Sequence, residues 1–519
     1  MSGLRGGEPQ RASGSPPTGG GSLQGGPLQG GPPRIAPALL RVGLALAVIY
    51  AGIGAGLAWW QVVEAERLTI DPANPLVAGA EQGGQRGSIL DDRGVALVES
   101  VRQKDGTYRR SYPYPQVEPL VGYVSPQFGA SGLEAAYAAQ LLGVADASGD
   151  AGLLRKFRSQ PFQAQDIRLS LDLRLQKAAM ALLAGQRGAI VAIEPSTGRI
   201  LALASSPSFD GDKVVDPKGG AAYFQSLLAK PADQSVLLDR ATQGLYVPGS
   251  ILKIVTSVAA LGSGTITPQT TYPDQPGEEK TGFLVDGYRV VDGHHTFTGD
   301  LALDYSQAVE VSCNIYFAHV GLALGGDQLL RWGAQLGFGA PIPFDVPTAA
   351  SSIDGGDGFI DDVELANAAY GQGEATATPL QMALVAATIA NGGTLMRPHL
   401  VDAFVSADGS VSQVGSEVWR QVIDQATATI IEKAMRQAVE GTWGRRFAGA
   451  AEVPGVPTAG KSGTAQLGSG EPHSWFIGFA PATQPRIAVA VIIEHGGPSS
   501  LSAVPIGGEI MADWLAMAP

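Results

Sequence analysis

Two groups of strand-like runs lie far apart in this chain, and they constrain its fold more than any other feature. The first, "GAIVAIEPSTGRILALASS" (188–206), reads as two strands joined by a Pro-Ser-Thr-Gly turn. The second lies near the other end, where "TAGKSGTAQ", "SWFIGFAP" and "RIAVAVIIEH" are three more strand-like runs, followed by a terminal helix at 507–517. Between the groups the pattern is helical, at 250–262, 302–310, 326–336, 378–391 and 424–440. Just ahead of the first hairpin, "DIRLSLDLRLQKAAMALLAG" reads as a strand and then a helix capped by Asp172. Such a chain closes by bringing both ends into one antiparallel sheet with a helical lobe inserted, an α/β (α+β) architecture. The cleft between sheet and helices is the natural place for a site.

The N-terminal part follows other rules. Residues 1–34 are rich in Gly, Pro, Ser and Gln and are expected to be disordered. Residues 42–63, "VGLALAVIYAGIGAGLAWWQVV", carry no charge. As a helix, these 22 residues reach about 33 Å, against a hydrocarbon core of roughly 30 Å. Trp59 and Trp60 sit where an interfacial aromatic pair belongs, Arg5, Arg11, Arg34 and Arg41 precede the span, and Glu64 and Glu66 follow it. The positive-inside rule places the tail in the cytoplasm and everything after residue 63 outside. A cleaved signal peptide is the alternative, but the small residues at 78–80 lie well beyond a run that is itself longer than a signal core. Gly52 and Gly56 have GxxxG spacing, though glycine is common in membrane helices generally. The expected divisions are a cytoplasmic tail (1–34), an anchor (35–63), an extended pedestal or dimerisation-like spacer with little periodicity (64–160) and a catalytic domain (161–519).

Composition excludes several classes of function. A net charge of −13 argues against nucleic acid as a partner. The only cysteine is Cys313, so neither an intramolecular disulfide nor a cysteine-rich metal site is available. The six histidines show no ligand spacing, so no metal and no cofactor is expected. The carboxylates of "GGDGFIDD" (355–362) lack a full calcium-loop pattern and read as a solvated loop. His473, before "SWFIGF", reads as an exposed loop residue.

Against that background, "LYVPGSILKIVTSVAAL" (245–261) poses a chemical problem. Ile251, Leu252, Ile254, Val255, Val258, Ala259 and Leu261 wrap nearly every face of a helix that also holds Lys253. An unpaired buried ammonium costs several kcal/mol or more. Ser250 and Lys253 are i and i+3, so their side chains can meet. A serine hydroxyl needs an adjacent base to act as a nucleophile, and a desolvated lysine with a lowered pKa can be that base. Pro248 and Gly249 place Ser250 at the helix N-terminus, where free N–H groups favour developing negative charge. Lys253 is the only one of ten lysines with a serine three residues before it, and Asn314, in "SCN", the only one of four asparagines with a serine two residues before it. A third element, "KSGT" (461–464), heads a strand.

In this order the three elements resemble the SxxK, SxN and K[ST]G set of penicillin-binding-protein transpeptidases and serine β-lactamases. "RGSILDDRG" (86–94), whose Ser88–Leu90 reads as a short strand, is similar to a membrane-proximal signature of class B penicillin-binding proteins, although Asp92-Arg93 stand where Arg-Asn is more usual. "YGQGEATATPLQMA" and "SWFIGFAP" also resemble segments of that family. The resemblance covers roughly residues 40–519 and implies a penicillin-binding-protein/serine β-lactamase-like fold acting as a peptidoglycan D,D-transpeptidase. It implies that Ser250 attacks the penultimate D-Ala carbonyl of a stem peptide and Lys253 takes its proton. Ser312 would relay a proton to the leaving amine beside Lys461. Asn314 would bind the substrate amide, and Ser462, Gly463 and Thr464 would line its carboxylate site, with the N–H groups of Ser250 and Thr464 as oxyanion donors. It also implies acylation by β-lactam antibiotics and, since no glycosyltransferase domain is evident, a SEDS-family polymerase partner among the cell-wall machinery at the cytoplasmic membrane. A D,D-carboxypeptidase, a β-lactamase, and a non-catalytic scaffold or β-lactam sensor on the same fold are the alternatives. A second KTG, Lys280–Gly282, lies in a polar stretch beside Glu278 and Glu279 and reads as a surface loop. Cys313, inside SxN, reads as a packed small side chain with its thiol turned away from the site.

Overall fold

The computed structural model describes residues 85–144 and 164–517 apart from His294, together with isolated helical positions between 41 and 53. The expected anchor and tail fall almost wholly outside the described residues. Among those residues no helix is long and apolar enough to cross a membrane. The account below concerns the compact unit that spans 65–519.

Its centre is a five-stranded antiparallel sheet assembled from both chain ends. The strands are β1 (Gly188–Ile193), β2 (Ile200–Ser206), β3 (Ala459–Ala465), β4 (His473–Ala480) and β5 (Ile487–Ile493), in the order β3-β4-β5-β1-β2. Strand periodicity sends alternate residues to opposite faces, and here both faces are covered. Ala189, Val191, Ala488, Ala490 and Ile492 join one buried cluster, while Ile190, Ala192, Val489 and Val491 join another. The first packs on α5 (Pro379–Ala390), the second on α1 (Leu173–Leu182) and α7 (Ala503–Met517). Full burial on both sides explains why β1 and β5 are continuously apolar; each fully buried Ile or Val contributes roughly 1.5–3 kcal/mol. Asp172 caps α1 by accepting from Arg174 N, as its position predicts.

The inserted helical lobe carries α2 (Lys253–Gly262), α3 (Tyr305–Val311), α4 (Asn314–Leu324) and α6 (Gln425–Glu440). Helix α4 is not apparent from periodicity, because "NIYFAHVGLAL" is apolar on nearly all sides and shows no stripe.

The segment expected to be a spacer is built into a second sheet. Ile89–Leu90 pairs antiparallel with Ala96–Arg102, which pairs with Tyr108–Ser111. On its other side Ile89–Leu90 runs parallel to Asp166–Leu169, and that strand pairs with Val401–Val405. Strands of two to seven residues, some completed by partners as distant as Ile167 from Ile89 and Phe404 from Ile167, leave little local periodicity to read. "GLEAAYAAQLLG" forms two short helices, Gly132–Ala136 and Ala138–Leu141. The first of them aims Glu134, fully buried, between Arg86 Nε at 2.6 Å and Arg110 Nε at 2.7 Å. Arg86 of the "RGSILDDRG" motif is thereby a structural anchor.

Candidate active site

Ser250 lies on a 3-10 turn, Gly249–Leu252, that runs directly into α2. Two backbone approaches seat this turn. Gly249 adopts φ 57°, and a Cβ there would lie 3.0 Å from Ala465 Cα of β3. Gly371, of the "YGQG" segment, adopts φ 87° and comes so close that its Cβ would meet Gly249 O at 1.9 Å. Both conformations suit glycine, and a side chain at either would displace the serine. Trp475 Nε1 donates to Val247 O at 3.0 Å and fixes the chain just upstream.

Lys253 is fully buried. Its Nζ lies 3.1 Å from Ser250 Oγ, 2.5 Å from Ser312 O, 2.7 Å from Asn314 Oδ1 and 3.2 Å from Ser312 Oγ. A carbonyl and an amide oxygen can only accept, so together they take both N–H groups of a neutral amine and leave its lone pair for the Ser250 hydroxyl. Asn314 Nδ2 donates to Val291 O at 3.1 Å, which turns Oδ1 toward Lys253. Burial lowers the lysine from 10.5 to about 8, against a smaller upward pull from Asp292, Cys313 and Glu279.

Ser312 sits at the C-cap of α3 in the left-handed region, φ 63° and ψ 40°, a conformation uncommon for serine. The bend directs Oγ between the two lysines, with Lys461 Nζ donating to it at 2.8 Å. Lys461 also donates to Ser462 O at 3.0 Å, and burial, then the neighbouring Lys253, push it well below the usual lysine range. Gly463 faces the nucleophile turn; a Cβ there would lie 3.0 Å from Ile251 Cγ2 and 3.1 Å from Pro248 O. Ser462 and the exposed Thr464 line a cleft of about 560 Å³ with Ser250, Ser312 and Asn314. Because β3 is an edge strand, its outward N–H groups have no strand partner. A serine beside a desolvated amine, a bridging hydroxyl and hydroxyls on an open strand edge can support acyl transfer. Of the eight residues singled out from the sequence, Ser250, Ser312, Asn314, Ser462 and Thr464 line this cleft, Lys253 and Lys461 reach its hydroxyls from buried positions behind it, and Gly463 packs against the nucleophile turn.

Other groups at this site were not legible in the sequence. Asp292 accepts from Asn314 N at 2.5 Å and Ile315 N at 3.4 Å, fastening the SxN turn and the start of α4. Cys313 is packed as expected, but its thiol belongs to a polar cluster. Sγ accepts from Tyr316 N at 3.3 Å and donates to Glu279 Oε1 at 3.1 Å, and burial, then Asp292 and Glu279, hold the thiol well above its usual range. Ligand atoms of Glu279, Asp292, His295 and Cys313 lie within 4.8 Å of one another, a mixed O/N/S set suited to a zinc-like divalent ion. Asp292 and His295 lie three residues apart in one stretch, but Glu279 and Cys313 come from two others, so no ligand motif exposes the set.

Two sequence readings are corrected by the structure and a third is refined. His473 is buried at the head of β4, accepts from His495 N at 3.1 Å, and is lowered to about 4 by burial and then His495. "GGDGFIDD" is a loop as read, up to Asp361, which caps the helix Asp362–Ala369 by accepting from Glu364 N at 2.8 Å. The second KTG ends a helix, Gln275–Thr281, rather than lying in a loop. Lys280 is exposed there and pairs with exposed Asp300 at 2.5 Å. Lys280→Ala should therefore leave acylation by a fluorescent penicillin nearly unchanged, whereas Lys461→Ala should lose most of it. The reverse result would place the site at the wrong lysine.

Comparison with known proteins agrees with this geometry. Residues 188–512 match the family described as penicillin binding protein transpeptidase domain, and residues 86–166 match the penicillin binding protein A dimerisation domain. Peptidoglycan D,D-transpeptidase PbpA of Mycolicibacterium smegmatis is 34% identical over 491 residues, covering 91% of this chain and 96% of its own. Peptidoglycan D,D-transpeptidase MrdA of Acinetobacter baumannii is 33% identical over 403 residues, covering 70% of this chain and 56% of its own. The ceftriaxone acyl-enzyme complex of penicillin-binding protein A from M. tuberculosis superposes with a TM-score of 0.73 at 29% identity, covering 83% of this chain and 98% of that one.

Proposed function

The chain belongs to the class B penicillin-binding proteins and is a serine-type D-Ala-D-Ala transpeptidase, and from that premise we propose how its own residues divide the work. Ser250 Oγ attacks the carbonyl carbon of the penultimate D-Ala of a stem peptide while its proton passes to neutral Lys253 Nζ. The N–H groups of Ser250 and Thr464 stabilise the oxyanion. The intermediate collapses by breaking the C–N bond, and Ser312, bridging to Lys461, returns a proton to the departing D-Ala amine. The amine of a second stem peptide then attacks the ester, forms the cross-link and releases the Ser250 hydroxyl. Ser462 and Thr464 hold the terminal carboxylate, while Gly463 between them leaves room for the nucleophile turn to pack against the strand. Asn314 has both ends engaged internally, so it offers the substrate amide only its remaining N–H and lone pair.

The observation that carries this division is the Ser250–Lys253 contact at 3.1 Å, with the amine's two donors taken by Ser312 O and Asn314 Oδ1. The test is product analysis with purified protein, nascent glycan and a labelled D-amino acid. Label entering cross-linkable peptide supports transfer; trimming of D-Ala without incorporation would establish a carboxypeptidase.

The uncharged run 42–63 and the charge asymmetry around it support a single-pass protein of the cytoplasmic membrane, with its N-terminus inside and its catalytic unit outside. The segment around 64–160 then serves as pedestal, and a SEDS-family glycosyltransferase supplies the strands to be cross-linked. A phosphatase fused after residue 519 should be active, and one fused before residue 35 silent. The opposite pattern would remove the cell-wall reading.

A further inference from the structure

Among the cleft residues with no part in the division of labour above is Ser499. Ser499 begins the short turn Ser499–Leu501 ahead of α7, lines the cleft, and is only 6% exposed. Its backbone N–H donates to Thr464 Oγ1 at 3.3 Å, and Thr464 Oγ1 donates to Ser499 Oγ at 3.1 Å. Thr464 projects from an edge strand as an exposed side chain, so these two bonds hold its hydroxyl in place.

We infer that Ser499 is a positioning residue for substrate and β-lactam carboxylates, acting through Thr464. This rests on the reading that Thr464 binds that carboxylate. In this arrangement the single Thr464 proton points to Ser499 Oγ. Thr464 can donate to an arriving carboxylate only by turning that proton away. Ser499 can then reverse its own hydroxyl and donate to Thr464 Oγ1, while its N–H keeps the oxygen in place. The result is a chain, Ser499 O–H to Thr464 O–H to carboxylate, in which each bond polarises the next. No bond to the substrate backbone is involved, so the effect is confined to ligands that carry the negative charge.

The test compares the second-order acylation rate constants of benzylpenicillin and its methyl ester, read by intact-protein mass. Ser499→Ala keeps the N–H and removes the hydroxyl; it should lower the acid-to-ester ratio about fivefold, the scale of one neutral hydrogen bond. Ser499→Thr should return the ratio to near wild type. Should the alanine variant fold poorly, Ser499→Cys, of similar size with a weaker donor, should show a loss in the same direction. An unchanged ratio, or an equal fall for acid and ester, would overturn the inference, the latter by marking a merely structural role. Thr464→Val separates the two readings. If it lowers the ratio and Ser499→Ala does not, only the role of Ser499 fails. If Thr464→Val leaves the ratio unchanged, the carboxylate assignment fails and this inference with it.

Discussion

Ser250→Ala is expected to leave no covalent adduct after exposure to penicillin, while the protein folds as before. The hydroxyl stands at the head of α2, placed to form an ester, and its side-chain partner among the described residues is Lys253 at 3.1 Å. It caps no backbone group of the turn, so its loss costs about 1 kcal/mol of stability at most. Intact mass followed by peptide mapping reads the outcome. An adduct persisting in Ser250→Ala, or mapping elsewhere in the wild type, would remove the proposed nucleophile.

Lys253→Met should lower acylation by two to four orders of magnitude, about the contribution of a positioned general base. Methionine keeps the length and the apolar stem. It leaves Ser312 O and Asn314 Oδ1 without their donor, at about 1–3 kcal/mol each, partly offset because no amine is buried. The folded protein should therefore persist. In the wild type the acylation rate should rise with pH through about 8, because the active form of Lys253 is neutral and its fraction grows as the proton leaves. The variant should lose that rising limb. Normal acylation in Lys253→Met, or a wild-type rate that falls over this range, would assign the base elsewhere.

Much of the architecture was legible because it is local. The hairpin at 188–206, the Asp172 cap and the amphipathic helix 425–440 follow from residues within one or two turns of each other. The second sheet was not legible, because Asp166–Leu169 finds its partners at 89–90 and 401–405. His473 was misplaced for a related reason. A polar residue bordering a strand reads as exposed until Tyr246 and His495 are found packed against its ring.

At the site, sequence alone determined the Ser250–Lys253 pair, since i and i+3 on one helix meet whatever surrounds them. It also identified Ser312, Asn314 and Lys461 as belonging with that pair, through resemblance rather than geometry. Only the tertiary structure decided what Lys253 can do. Its two N–H groups are taken by the SxN turn, 59 and 61 positions along the chain, and the Ser312 hydroxyl meets Lys461 from 149 positions further on. The groups that fasten that turn, Asp292 and Cys313, and the one that steadies Thr464, Ser499, likewise exist as partners only in the folded chain. The physical reason is the range of the interactions. Periodicity and capping act over a few residues, whereas desolvating a lysine and saturating its donors requires several distant segments to close around one nitrogen.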